Sequence, residues 1–305
     1  MLSINTNAAS MAAVNAINKS NASLSKSMER LATGNRINSS ADDAAGKQIA
    51  NRMQTQSDGM AMAQRNIADA TSMLQTADGM FDEMNDILGR MDELATQAAN
   101  GTYSDDDRTA MQSEFDELGQ EMSDMLQNTT NGGTNLFNKS ENGLFTSASG
   151  VTFQVGSQST DQITVNISSQ ISQLATDLGS LSAAFKNDYG TDGAGGGSAS
   201  GTAASGVELM TLDSANATIS AVQGVMDEVG SIQSTLGATM NRLNSTATNL
   251  QSMQDNTEIA IGNIMDTDYA TEASNMSKQQ VLMQTGITML KQSNSMSGMV
   301  SSLLQ

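Results

Sequence analysis

Residues 49–98 run IANRMQTQSDGMAMAQRNIADATSMLQTADGMFDEMNDILGRMDELATQA. Within them Ile49, Met53, Gln56, Met60, Ala63, Ile67, Ala70, Leu74, Ala77, Phe81, Met84, Leu88, Met91, Ala95 and Ala98 step by four and three. Of these fifteen positions only Gln56 is polar. A stripe that recurs every 3.5 residues faces a partner helix in a left-handed coil. At about 1.5 Å per residue such a helix runs roughly 75 Å. A rod of that length points to a structural or assembly role.

Composition narrows the chemistry. The 305 residues hold 23 Met and 3% aromatic residues, a balance suited to narrow helical seams rather than to a thick globular core. Met is flexible and packs tolerantly, which suits surfaces that fit more than one geometry. Cys, His, Pro and Trp are absent. Disulfides, thiol nucleophiles and thiolate metal sites are thereby excluded. So are serine–histidine catalysis and histidine-ligated zinc. Nothing in the sequence calls for a cofactor. Without Pro, slow prolyl isomerisation does not arise, so the chain is suited to being unfolded, threaded and refolded.

The net charge of −19 argues against nucleic acid as a partner. The charge is uneven: residues 1–40 carry Lys19, Lys26, Arg30 and Arg36 against Glu29, while residues 78–125 carry fourteen acids against Arg90 and Arg108. The acidic run fits a solvated helix face. The start, Met-Leu-Ser-Ile-Asn-Thr-Asn, lacks a charged segment followed by an apolar one, so no cleaved secretory signal is expected. No apolar run approaches the length of a membrane span.

Outward from the long seam, residues 4–33 are expected to form a helix whose stripe includes Ile4, Ala8, Met11, Val14, Ile17, Leu24, Met28 and Leu31, diluted by Asn and Ser. Gly34 ends it, and Ser39 to Asp43 offer caps for the long helix. That helix should stop near Asn100-Gly101, and Ser104 or Asp105 to Asp107 should start another with the stripe Met111, Phe115, Leu118, Met122 and Met125. Acids there complement the helix dipole. Asn131-Gly132-Gly133 opens an irregular stretch. Val151, Phe153 and Val155, then Ile163, Val165 and Ile167, alternate with polar residues and predict a β-hairpin near 151–167. Residues 190–206 hold seven Gly among seventeen residues and read as a flexible loop. Helical spacing returns through Leu212, Ala215, Ile219, Val222, Met226, Val229, Ile232, Leu236, Met240, Leu243, Ala247 and Leu250. A last helix over about 268–303 carries Ala273, Met276, Met283, Ile287 and Leu290, again diluted by Ser, Asn and Gln. The expected fold is mainly α: a long antiparallel coiled-coil bundle of N- and C-terminal arms with a small β-hairpin region. The polar dilution of both outer helices leaves them marginal alone. Frayed ends are therefore expected on an isolated subunit.

This plan resembles bacterial flagellin. The match rests on Ile4-Asn5-Thr6-Asn7, on Arg30-Leu31-Ala32-Thr33-Gly34-Asn35-Arg36-Ile37-Asn38-Ser39 and on Ala41-Asp42-Asp43-Ala44-Ala45-Gly46. It continues through Gln64-Arg65-Asn66, Gln75-Thr76-Ala77-Asp78-Gly79 and Glu93-Leu94-Ala95-Thr96-Gln97-Ala98-Ala99-Asn100-Gly101-Thr102. In the C-terminal arm it is carried by Asp268-Tyr269-Ala270-Thr271-Glu272-Ala273-Ser274-Asn275-Met276-Ser277-Lys278 and by Leu303-Leu304. The chain departs from the family pattern at Asn263-Ile264-Met265, at Gln305 and in lacking a C-terminal Pro.

The resemblance implies a filament subunit for motility, not an enzyme. It implies an inner terminal-helix domain of residues 1–42 and 265–305 and an outer helical domain of 43–185 and 207–264. A flexible loop at 186–206 then stands where larger members carry outer variable domains. Subunit packing is expected at Ile4, Met11, Leu24, Leu31, Met276, Met283, Ile287 and Leu290. The implied partners are further copies of the chain, the flagellar export apparatus, an export chaperone, and the filament cap and hook–filament junction proteins. The expected location is the extracellular flagellum, reached without a cleaved signal, and the 190–206 loop offers Ser and Thr to O-linked sugars. The family is also sensed by a Toll-like receptor, and Arg90, Leu94 and Glu114 match its recognition positions. Gly89 and Asp92 stand where Gln and Arg are common, so weakened recognition is expected. Leu94 also neighbours the seam, which leaves a packing role open. The rival readings are a hook–filament junction protein and a cytoplasmic coiled-coil scaffold. A flagellin-like peptidase fails for want of His.

Overall fold

Asn7 starts the first helix: its side-chain oxygen accepts a hydrogen bond from the backbone N–H of Ser10 at 3.1 Å. The helix, α1, spans Ala8–Thr33, and the Gly34 N–H closes it on the Arg30 carbonyl. A computed structural model describes residues 7–138, 143–185 and 207–303, so Ile4 and the 186–206 loop lie outside the described residues. The remaining helices are α2 (Ala44–Ala98), α3 (Asp105–Asn128), α4 (Ser168–Leu181), α5 (Leu212–Met265) and α6 (Tyr269–Leu303). The chain is mainly helical with two antiparallel strand pairs: β1 (Thr130–Asn131) with β2 (Thr134–Asn135), and β3 (Val151–Gln154) with β4 (Gln162–Val165).

Two compact units emerge, Met1–Asp58 with Met253–Gln305, and Gly59–Ser252. Their limits fall inside α2 and α5. Within the first unit the first turns of α2 bond the last turns of α5, and the linker after α1 bonds the end of α5. Ser57 Oγ donates to Glu258 at 3.5 Å, and the Arg36 guanidinium donates to the Ile264 carbonyl at 2.7 Å.

In the terminal unit the linker from α1 to α2 is fixed by two neighbouring acids. Asp42 accepts from the backbone N–H groups of Asn38 and Ser39 and meets Lys26 Nζ at 2.5 Å. These partners, Lys26 foremost, hold its carboxyl far below the ordinary range. Asp43 caps α2 by accepting from the Gly46 N–H at 2.9 Å. The buried face of α2 does not follow the expected register here. Ile49 is 43% exposed and Gln56 is exposed, whereas Gly46, Ala50 and Ser57 are buried. A helix of 3.6 residues per turn drifts off a strict 3.5 repeat, and the small residues supply the face that packs.

The central unit holds the main core. From Met60 to Ala98 every expected seam position of α2 is buried, together with Ala215, Val222, Val229, Ile232, Leu236, Leu243 and Leu250 of α5. Leu212 departs from its expected place and is 42% exposed, because it is the first residue of α5. A capping box starts α3: the Ser104 hydroxyl accepts from the Asp107 N–H, and the Asp107 carboxylate accepts from the Ser104 N–H. Thr152 and Thr164 are exposed across the β3–β4 register, with their hydroxyls 3.2 Å apart, while Phe153 and Ile163 face inward. The strand pair is tied to α2 by the Asn66 side-chain amide, which donates to the Gln154 carbonyl at 3.2 Å. All six Phe of the chain are buried in this unit.

Candidate functional site

The terminal helices α1 and α6 pair antiparallel. Asn7 donates to Ser293 Oγ at 3.1 Å and Ser10 Oγ to Asn294 at 3.3 Å, while at the other end the Tyr269 hydroxyl donates to the Leu31 carbonyl. Arg30 and Glu272 add an ion pair at 3.6 Å. The linkers close the same end: Arg36 N–H donates to the Met265 carbonyl at 2.6 Å, and Thr267 N–H to the Gly34 carbonyl at 2.9 Å. The Asp268 carboxylate caps α6 through Ala270 N–H and the Thr271 hydroxyl. Thus the Gly34-Asn35-Arg36 and Asp268-Tyr269 motifs work as one clasp.

Burial follows a heptad along both helices. On α1, Ser10, Ala13, Ile17, Ser20, Leu24 and Leu31 are half-buried and Ser27 is buried. On α6, Met276, Gln279, Met283, Gly286, Leu290 and Ser293 are half-buried and Glu272 is buried. Gly286 is needed for the close approach: a Cβ on it would stand 2.8 Å from Ile17 Cγ1. Apolar residues alternate with small or polar ones along this shared face, so two helices alone cover little apolar surface.

Large apolar side chains lie off that face. Met11 is 60% exposed, Val281 60%, Met289 65% and Met296 53%, with Val14, Met28, Leu282 and Ile287 also exposed. Leu282, Met289 and Met296 recur every seven residues along one flank of the α6 seam, and Val14 and Met28 lie on a flank of the α1 seam. Of the expected packing residues, Met11 and Ile287 are on these open flanks. Leu24, Leu31, Met276, Met283 and Leu290 sit on the seam between α1 and α6. Val14 and Met28 belong to the stripe expected for the first helix, whereas Val281, Leu282, Met289 and Met296 fall outside the single stripe expected for the last. The signal for a second stripe was present in the seven-residue recurrence.

The expected recognition residues separate in the same way. Arg90 and Glu114 join on the surface: Arg90 Nη2 and Nε donate to Glu114 Oε1 at 2.8 and 2.9 Å, and Nη1 donates to Glu93 at 2.9 Å. Leu94 does not join them. It is 2% exposed and belongs to the core. From Met80 onward α2 buries adjacent residues in pairs, Met80 with Phe81 and Leu94 with Ala95, so its buried arc is wider than one seam. Asp92 is half-buried, and its Oδ1 is buried without a hydrogen-bond partner among the described residues. Among those residues, too, no group of three or more Asp or Glu is placed to hold a metal, and no helix is long and apolar enough to cross a membrane.

A clasped pair of terminal helices with open apolar flanks, in a chain that also holds a helical unit with its own core, is the architecture of a helical structural subunit. The N-terminal helical region of bacterial flagellin matches residues 4–142, and the C-terminal helical region matches residues 219–304. The chain is 32% identical to a flagellin of Listeria monocytogenes over 99% of both chains. It is 29% identical to flagellin A of Vibrio cholerae serotype O1 over the whole of both. A solved structure from Vibrio parahaemolyticus, provisionally described as a flagellar hook-associated protein, covers 74% of this chain and 100% of its own at a TM-score of 0.57. At 15% identity that likeness is one of fold alone. The chain belongs to the bacterial flagellins, the self-polymerising structural subunits of the extracellular flagellar filament.

Proposed function

We propose that neighbouring copies of this chain cover the open flanks of α1 and α6, and that this burial drives growth of a filament used for motility. The observation that carries the reading is the exposure of Met11, Val14, Met28, Val281, Leu282, Ile287, Met289 and Met296 on two helices that share only a diluted seam. Each such side chain fully buried contributes roughly 1.5–3 kcal/mol. Residues 1–42 and 265–305 form the inner part of the assembly. Residues 43–185 and 207–264 form its outer helical part, and residues 186–206 stand where larger family members carry extra domains. Family membership supports export through the flagellar apparatus without a cleaved signal, an export chaperone on the C-terminal segment, and a cap protein at the growing tip. The test is negative-stain microscopy of purified chain after salt-induced assembly, with amide exchange on subunit and polymer. Tubes are expected, with exchange across Ala8–Thr33 slowed by more than about a hundredfold on assembly. Full protection of α1 in the free subunit would refute the reading.

The surface pair Arg90 and Glu114 supports recognition by a flagellin-sensing Toll-like receptor, weakened by Asp92 where the family commonly has a cation. An Asp92→Arg chain should signal at about fivefold lower concentration in a receptor reporter assay, the equivalent of about 1 kcal/mol for a restored rim charge. Equal potency of the two chains counts against this contact.

A further inference from the structure

Oxidants that transfer oxygen to sulfur find one kind of target in this chain. Cys, His and Trp, the other side chains that consume such oxidants readily, are absent, and Met is present 23 times. The methionines fall into two populations. Met60, Met84, Met91 and Met122 in the central core are at most 1% exposed. Met11, Met28, Met289 and Met296 on the terminal helices are 48–65% exposed. Met62 and Met253 are the other strongly exposed ones among the described residues, at 53% and 42%. Four of these six open thioethers therefore stand on α1 and α6, on the flanks that the proposed assembly covers.

We infer that Met11, Met28, Met289 and Met296 are oxidation sites through which a peroxide controls polymerisation. The inference rests on the assembly reading above. The thioether sulfur attacks one oxygen of the peroxide, a new S–O bond forms and the O–O bond breaks. Sulfur loses two electrons, the peroxide is reduced, and its second oxygen leaves as water. The product carries a strong hydrogen-bond acceptor where an apolar surface is required, and burying it without a donor opposes packing. The core methionines keep their thioethers because the reagent does not reach them, so the oxidised subunit stays folded. Assembly covers the same sulfurs, so subunits are sensitive and finished filament is resistant. Methionine sulfoxide reductases, taking two electrons from a pair of thiols that becomes a disulfide, release the oxygen as water and return the subunit to competence.

The test takes the full chain as free subunit and as polymer, treats each with dilute hydrogen peroxide, and maps sulfoxide by peptide mass spectrometry. In the free subunit, sulfoxide should accumulate at these four positions at least about tenfold faster than at Met84, Met91 and Met122. In polymer that difference should collapse. Oxidised subunit should lose sedimentable polymer by at least about tenfold at unchanged helix content, and reductase treatment should restore it. A chain carrying Met11→Leu, Met28→Leu, Met289→Leu and Met296→Leu keeps side-chain volume and should assemble in peroxide as it does without. Equal assembly of oxidised and untreated subunit overturns the inference and leaves the assembly reading intact. Loss that reductases do not reverse, or that persists undiminished in the Leu chain, also overturns it. Should the Leu chain fail to fold, site mapping and reductase rescue on the natural chain still decide. Failure of the untreated chain to assemble overturns the assembly reading, and the inference falls with it.

Discussion

A chain carrying Leu282→Glu and Met289→Glu should remain a folded subunit and fail to polymerise. Both side chains are exposed, 46% and 65%, and neither lies on the seam with α1. Surface changes of this kind usually alter stability by within about 0.5 kcal/mol, so the unfolding midpoint and helix content of the subunit should hold. Covered by a neighbour, each natural side chain contributes roughly 1.5–3 kcal/mol. Each carboxylate introduced in its place is buried without a partner and costs several kcal/mol more. A combined loss of at least about 5 kcal/mol raises the concentration needed for growth by more than about a thousandfold. Sedimentation across a concentration series measures this directly, and growth at the natural concentration would remove α6 from the assembly face. The volume-conserving Met289→Leu should assemble normally, which separates lost polarity matching from altered shape.

How much of this was legible in the residues depended on how many partners each helix has. Along α2 and α5 of the central unit, stripes spaced by three and four identified the core well, because those helices bury one broad face in a common interior. The terminal helices are harder to read. Each carries an inward seam and outward flanks, and periodicity does not say which stripe meets the same chain and which meets another copy. Ser20 and Ser27 sit on the seam, whereas Val14 and Met28 do not, the reverse of what hydrophobicity suggests. Leu94 shows the opposite difficulty: a helix surrounded on two sides buries adjacent residues, and a single-seam count leaves one of them seemingly free. Two local elements were missed although their signals were present. Ile171, Leu174, Leu178 and Leu181 recur at helical spacing and are all buried in α4. Asn131-Gly132-Gly133-Thr134 joins β1 to β2, with Gly132 at φ 59° and Gly133 at φ 83°, the left-handed pair that a two-residue hairpin turn requires.

The stability of the central unit should be most sensitive at Phe81. Its ring is fully buried on α2, meets Phe137 edge-on at 5.3 Å and 67°, and Phe137 in turn stacks on Phe145 at 5.6 Å and 25°. Phe137 follows β2 and Phe145 lies in the short 3-10 turn Leu144–Thr146, so the rings tie both to α2. Such aromatic pairs contribute about 0.5–1.5 kcal/mol beyond the area they bury. Phe81→Ala removes the ring and leaves a cavity in a closely packed core, at an expected cost of roughly 3–5 kcal/mol. For a unit of this size that corresponds to a fall of about 10 °C in unfolding midpoint, readable by calorimetry. Below the lowered midpoint, polymer yield should fall far less than in the chain altered at Leu282 and Met289, because the α1 and α6 flanks keep their apolar side chains. If Phe81→Ala instead abolished polymer while the midpoint held, core and assembly surface would not be separable in the way that the burial pattern requires.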